Sequence, residues 1–374
     1  MREGEIIIPE SLHIVIDDLG WLNGEDDRAA GGPSRTAMPR RHCEADYRAI
    51  NELGRRIGMQ VSCAFVIGEW DPDNRLRRIP HLSKYGDGWN NAAYLDRDEM
   101  DRCIRAINES EYIDFAVHGL LHGNYREKTD NTDTSDFYYY LDGNIIMVED
   151  SEVRKRLDAF FELVEYYGIN KRINSFVPPS FVYRKDELSK ILAEYGIKYI
   201  STTFKGKVVR EDENTRGALV EECGIINLER NNNRIPWDMP GVDPTDLEVT
   251  SGILGTHWPN FLHPDAERNS EVIDKWVEYI KRCANTYGVV ISSAISFAAN
   301  QSLYHRYARM SLVGEKFMID ISDVPHFFGA DAGFVISSRE RLNEAVGASL
   351  QLIEEKTGFL NYRVIPKDKT VIIV

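Results

Sequence analysis

Two imidazoles stand four residues apart in His118-Gly119-Leu120-Leu121-His122. Positions i and i+4 share one face of a turn or short helix, so both rings can meet a single metal ion. A second signal lies near the N-terminus, where Asp17-Asp18 directly follows the apolar run 12–16. Adjacent carboxylates at a strand end repel each other unless a cation or a proton relieves them. Side-chain alternation along the strand predicts that one points to a metal while its neighbour faces the substrate side. Taken together, Asp18, His118 and His122 form a ligand set with open positions for water, the composition of a hydrolytic metal site. The third signal is Gly255-Thr256-His257-Trp258-Pro259-Asn260-Phe261-Leu262-His263. His257 closes an apolar strand, where an imidazole can protonate a departing amine, and His263 is the alternative for that role.

These residues need a frame that brings them to one rim. Short β-rich runs at 12–16, 60–67, 113–117, 174–177, 198–201, 224–228, 251–257 and 289–292 alternate with helical periodicity at 45–57, 98–109, 151–167, 185–195, 270–286 and 297–312. This βα repetition predicts an α/β fold, a parallel sheet or barrel with helices outside, whose chemistry collects at the C-terminal ends of the strands. Asp17, His118 and His257 each follow such an end. Two segments, 19–44 and 68–97, are long and rich in Gly and Pro, as functional loops are. Beyond residue 312 the texture changes to β-type runs separated by turns, which predicts a small β-sandwich-like accessory module over 313–374. That module is read as a sugar-binding or dimerising unit or as a cover for the barrel, and a homo-oligomer stays open.

Composition sets outer bounds. The 374 residues are 43% apolar and 28% charged, which places the chain among folded globular proteins. Its 45 basic and 60 acidic residues leave a net charge of −15, a surface that repels phosphate backbones and argues against nucleic-acid binding. The five cysteines are scattered without C-x-x-C spacing, so neither a zinc knuckle nor a redox motif is signalled. No run approaches the ~20 apolar residues of a membrane span. The N-terminal run Ile6-Ile7-Ile8 stops at Pro9, too short for a secretion signal, and a cytoplasmic location is the expectation.

The order of these features resembles the polysaccharide deacetylases, the NodB-homology domain of carbohydrate esterase family 4, over roughly residues 10–312. The resemblance implies a distorted (β/α) barrel across 1–312. It implies that Asp17 is the general base, that Asp18, His118 and His122 hold the metal, and that His257 is the catalytic acid. The ion implied is Zn²⁺, although the same ligands accept Co²⁺, Ni²⁺ or Fe²⁺. A backbone N–H near Ser180 and Phe181 would support the oxyanion, and Trp21, Tyr125, Pro179, Ser180, Phe181, Trp258 and His263 are candidate substrate contacts. The chain departs from the family in Phe176-Val177-Pro178-Pro179-Ser180-Phe181, where no arginine is present to orient the catalytic aspartate. The function expected is therefore de-N-acetylation of an acetylated amino sugar or polysaccharide precursor by a divergent member. Two alternatives stand beside it: an amidohydrolase of a small linear or cyclic amide on the same fold, and a catalytically inactive carbohydrate-binding protein.

Overall fold

The computed structural model describes residues 6–22, 37–127, 135–184, 187–204, 217–231, 235–325 and 333–373. Residues 23–36 of the first long loop, and 185–186 at the start of the fourth expected helix, lie outside the described residues. Seven parallel strands close on themselves in chain order: Glu10–Leu19, Val61–Val66, Ile113–Gly119, Ser175–Phe176, Tyr199–Thr202, Ile226–Asn231 and Gly252–His257. The last pairs with the first from Gly252 opposite Leu12 to His257 opposite Asp17, which completes the barrel. Around it run α1 (Glu44–Ile57), α2 (Arg97–Glu109), α3 (Asp150–Tyr166), α4 (Leu188–Glu194), α5 (Asn269–Ala284) and α6 (Ile295–Tyr307).

The strands are apolar on both faces because both are covered. Leu12, Ile14 and Ile16 of the first strand pack outward into the large core shared with the helices. Val15, Ala64, Ala116, Val177, Leu228 and Ile253 point inward and form a second, narrower core with Ala298, Ala299 and Leu303 of α6. The lower end of the barrel is closed by α6, since the Ser11 hydroxyl donates to the Ala298 carbonyl and the Gln60 N–H to the Ser293 carbonyl. The strand Val289–Ile291 leads into that helix and pairs with Glu10, Ser11 and Leu12.

At the opposite, C-terminal end the loops are held by buried carboxylates. Asp46 accepts two bonds of 2.8 Å from Arg40 and one of 2.9 Å from Asn269, fastening the end of the first long loop to α1 and α5. Asp71 organises the second long loop, 68–97, by accepting the N–H groups of Arg75 and Leu76 at 2.9 Å. That loop is a series of single 3₁₀ turns rather than a disordered excursion.

The C-terminal β-rich region forms two four-stranded sheets that share one apolar cluster, including Phe317, Ile336, Tyr362 and Val371. The N-terminal strand Ile6–Ile7 pairs antiparallel with Phe334–Ser338, so one sheet draws on both ends of the chain. The helix expected over 297–312 stops at Tyr307, and Arg309–Val313 is instead a strand that turns at Gly314 and pairs with Lys316–Asp320. The turn at Gly314, with φ of 63°, closes a hairpin whose pairing overrides the helical spacing. No helix of the described residues is long and apolar enough to cross a membrane, and all five cysteines are unpaired.

Candidate metal centre

Strict alternation would send Asp17 inward and Asp18 out toward the helices. Instead Asp18 adopts a left-handed backbone with φ of 67°, and the pairing register with the second strand shifts between Ile16 and Leu19. This irregularity turns both carboxylates to the barrel mouth, correcting the expectation that alternation alone separates them. Asp is among the few side chains that tolerate this conformation. Gly20 follows with φ of 97°, and a Cβ there would lie 2.6 Å from the Val66 carbonyl oxygen, so only glycine fits.

The third strand delivers His118, and its loop returns His122. The Nδ1 of His118 lies 2.7 Å from the Val177 carbonyl, which accepts only from Nδ1–H and so makes Nε2 the ring atom available to a metal. That Nε2 is 3.4 Å from Oδ1 of Asp18, and Nε2 of His122 is 4.0 Å from the same oxygen. All three side chains are buried, and their ligand atoms lie within 4.8 Å of one another. Two imidazole nitrogens and one carboxylate oxygen, with the tautomer of one ring set by an outer hydrogen bond, suit a divalent transition metal and leave other coordination positions open. Burial alone would lower the His118 pKa; the hydrogen bond to Asp18, the charges of Asp17 and Asp18 and the Val177 carbonyl outweigh it and raise it.

Asp17 is held by a residue that the sequence reading missed. Arg230, on the sixth strand, places Nη1 2.9 and 2.8 Å from the two carboxylate oxygens of Asp17. Both side chains are almost fully buried, and the Phe181 ring lies 4.9 Å from the guanidinium carbon. The arginine absent from 176–181 is thus supplied from another strand, while that segment contributes the ring covering it. Ser180 and Phe181 both have left-handed backbones, with φ of 53° and 59°. The Phe181 N–H donates to the Pro178 carbonyl at 3.0 Å.

His257 sits beside Asp17 through the strand register. Burial lowers its pKa, with Asp17 and Asp18 pulling the other way. His263 instead turns to its own loop, where Nδ1 accepts the Asp265 N–H at 2.9 Å. Trp21 and Trp258 are buried at 0% and 1% exposure and present no ring face to solvent. Trp258 packs edge-on against His42 and Tyr47. Pro179 is buried, and Tyr125 is half-buried and joined through its N–H to the His81 carbonyl.

No protein-family model matches the sequence, and comparison with curated proteins finds no match. Among solved structures, the chain is similar to an assigned polysaccharide deacetylase of Mycobacterium smegmatis, with 14% identity, a TM-score of 0.42, and 81% of this chain and 93% of that one covered. It is also similar to a mutant CE4 family pseudoenzyme with restored enzymatic activity, at 13% identity and a TM-score of 0.36 over 78% of this chain and 68% of that one. A GH57-type branching enzyme of Pyrococcus horikoshii aligns at 12% identity and a TM-score of 0.38, covering 80% of this chain and 64% of that one. All three are distant likenesses.

Proposed function

We propose that this protein is a metal-dependent hydrolase of a non-peptide amide bond that removes the acetyl group from an N-acetylated amino sugar or polysaccharide precursor. The observation that carries this reading is the meeting, inside one barrel mouth, of a buried Asp-His-His ligand set with a second aspartate clamped by a buried arginine. A divalent ion held by Asp18, His118 and His122 would supply Lewis acidity toward water and the acyl oxygen.

The remaining work falls to the chain's own side chains. Asp17 accepts the proton that water gives up as it attacks the acyl carbon. Arg230 fixes the carboxylate through both oxygens, so its orientation is set before substrate arrives. His257, opposite Asp17 on the neighbouring strand, gives a proton to the nitrogen as the C–N bond breaks. The products are acetate and a free amine. A backbone N–H near Ser180 donates to the acyl oxygen as it gains charge.

One observation favours the alternative of a small linear or cyclic amide on the same machinery. Asp17, Asp18, His118 and His122 are only 2–5% exposed, a depth that suits a small molecule or a chain end better than an internal unit of a polymer. Both readings are tested by metal-reconstituted protein incubated with N-acetylated mono- and oligosaccharides and with small amides, assayed for acetate and for ammonia or amine. Metal-dependent acetate release from the sugars supports the first reading, and turnover of small amides alone supports the second. No turnover of either set, with sugar binding retained, would point instead to an inactive carbohydrate-binding protein.

A further inference from the structure

Between His118 and His122 the chain makes a tight return that no regular element supports. Gly119 has φ of 117° and His122 has φ of 53°, so the segment carries two left-handed residues within four positions. A single buried carboxylate sits inside this return. Asp136, 0% exposed, accepts the N–H of Leu120 at 3.2 Å, of Leu121 at 3.2 Å and of His122 at 3.0 Å. A Cβ on Gly119 would lie 2.0 Å from Oδ2 of Asp136, so the glycine makes room for the carboxylate. Arg156, a buried residue of α3, donates to the backbone carbonyl of Asp136 and to that of Pro80, which anchors Asp136 from behind.

Resting on the metal-site reading above, we infer that Asp136 is a positioning residue for the metal centre, which with Gly119 sets where His122 presents its ring. The physical argument is one of backbone donors. Three successive N–H groups in a return with left-handed residues form a concave nest for one anion. A carboxylate satisfying all three holds the backbone of a ligand residue rather than its ring, so it acts one bond network outside the ligands. Removing it releases three buried donors together, and His122 loses the carboxylate that its backbone N–H donates to.

The test uses the full chain and Co²⁺ as the probe, because its visible absorption reports ligand geometry. Metal-free wild type, Asp136→Asn, Gly119→Ala and Ser135→Ala are titrated with Co²⁺, and amide hydrogen exchange is followed at Leu120, Leu121 and His122. Ser135→Ala removes the neighbouring hydroxyl that accepts the Phe137 N–H at 3.0 Å, a structural bond in the same turn that does not touch the nest. Asp136→Asn and Gly119→Ala are expected to weaken Co²⁺ affinity by about 10- to 100-fold, to alter its absorption and to speed exchange at the three amides. Ser135→Ala is expected to keep wild-type affinity and spectrum, whatever its melting temperature. If Asp136→Asn does not fold, Gly119→Ala, which pushes on the same carboxylate from the other side, decides the matter. Wild-type affinity and spectrum in a folded Asp136→Asn or Gly119→Ala overturn the inference while leaving the metal site standing. A wild type that takes up no Co²⁺ overturns both.

Discussion

The inner face of the barrel carries ionisable side chains at both ends, on the same strands and four residues apart, and treats them in opposite ways. His13 and Asp17 share the first strand, and Asp114 and His118 share the third. At the lower end His13 lies between two hydroxyls, with Nδ1 2.7 Å from Ser292 and Nε2 2.8 Å from Ser62, and Ser62 is 3.4 Å from Asp114. The Ser292 hydroxyl also donates to the Leu12 carbonyl at 3.1 Å, so it accepts from His13 Nδ1–H, and Nε2 accepts from Ser62. Burial disfavours the charged form of both groups, pushing His13 down to about 3 and Asp114 up to about 6.

At the upper end equally buried groups face one another. Asp17 meets a guanidinium, Asp18 meets two imidazoles, and His118 is raised in spite of burial. Burial alone discharges ionisable groups. Carboxylates buried together in the same barrel therefore need either internal pairing or a cation, and the upper cluster offers Arg230 to Asp17 and a ligand set around Asp18. One end serves the fold, and the other is built for chemistry.

The contrast can be broken in graded ways. The largest effect is expected from Asp17→Asn, which should cost about 10²- to 10⁴-fold in acetate or amine release while metal content stays at the wild-type level. Undiminished turnover would remove Asp17 from the role of base. Arg230→Met leaves Asp17 buried without its cation and should lower stability to urea by about 3–5 kcal/mol. A change below about 1 kcal/mol, the range of exposed pairs, would mean the clamp does little for the fold.

The lower end is probed by pH. Asp114 is raised to about 6 in the fold against 3.8 unfolded, so the folded state holds the extra proton between those values. Its contribution to stability is full below pH 3.8 and is lost as pH rises through 6. Asp114→Asn lacks this loss, so the stability of wild type relative to the variant should fall between pH 4 and pH 6.5, by on the order of 1–2 kcal/mol in urea denaturation. A pH-independent difference would contradict a protonated Asp114. His13 acts with the opposite sign, because below pH 6.5 the unfolded chain takes up a proton that the buried imidazole refuses. The smallest effect belongs to the exposed pair of Arg55 and Glu52 on α1, where Arg55→Met should leave the urea midpoint indistinguishable from wild type.

Much of the frame was legible because the signals were local. Apolar runs ending in Asp17, His118 and His257 marked three barrel strands and one rim, and the strand register brings His257 to Asp17. Arg230 left a faint trace that the sequence reading passed over. It follows Ile226 and Leu228 at the period of two that faces the barrel interior, and a charge at such a position requires a buried partner. Asp136 left none, since it lies in the polar stretch Asp130–Asp136, where one more acidic residue is unremarkable, and its role depends on a chain return of 14 residues to His122. The left-handed turn at Asp18 was equally hidden, because Asp-Asp reads the same whether the pair alternates or bulges. The pairing of Ile6–Ile7 with Phe334–Ser338 joins the two ends of the chain, a contact that no local pattern announces.

The central claim is that Asp18, His118 and His122 bind a metal ion. Elemental analysis of protein purified without added metal, beside an Asp18→Ala, His122→Ala double variant, tests it most directly. The account predicts close to one equivalent of zinc or another divalent transition metal in the wild type and its loss in the folded variant. A wild type that is free of metal and takes none up on titration would contradict it.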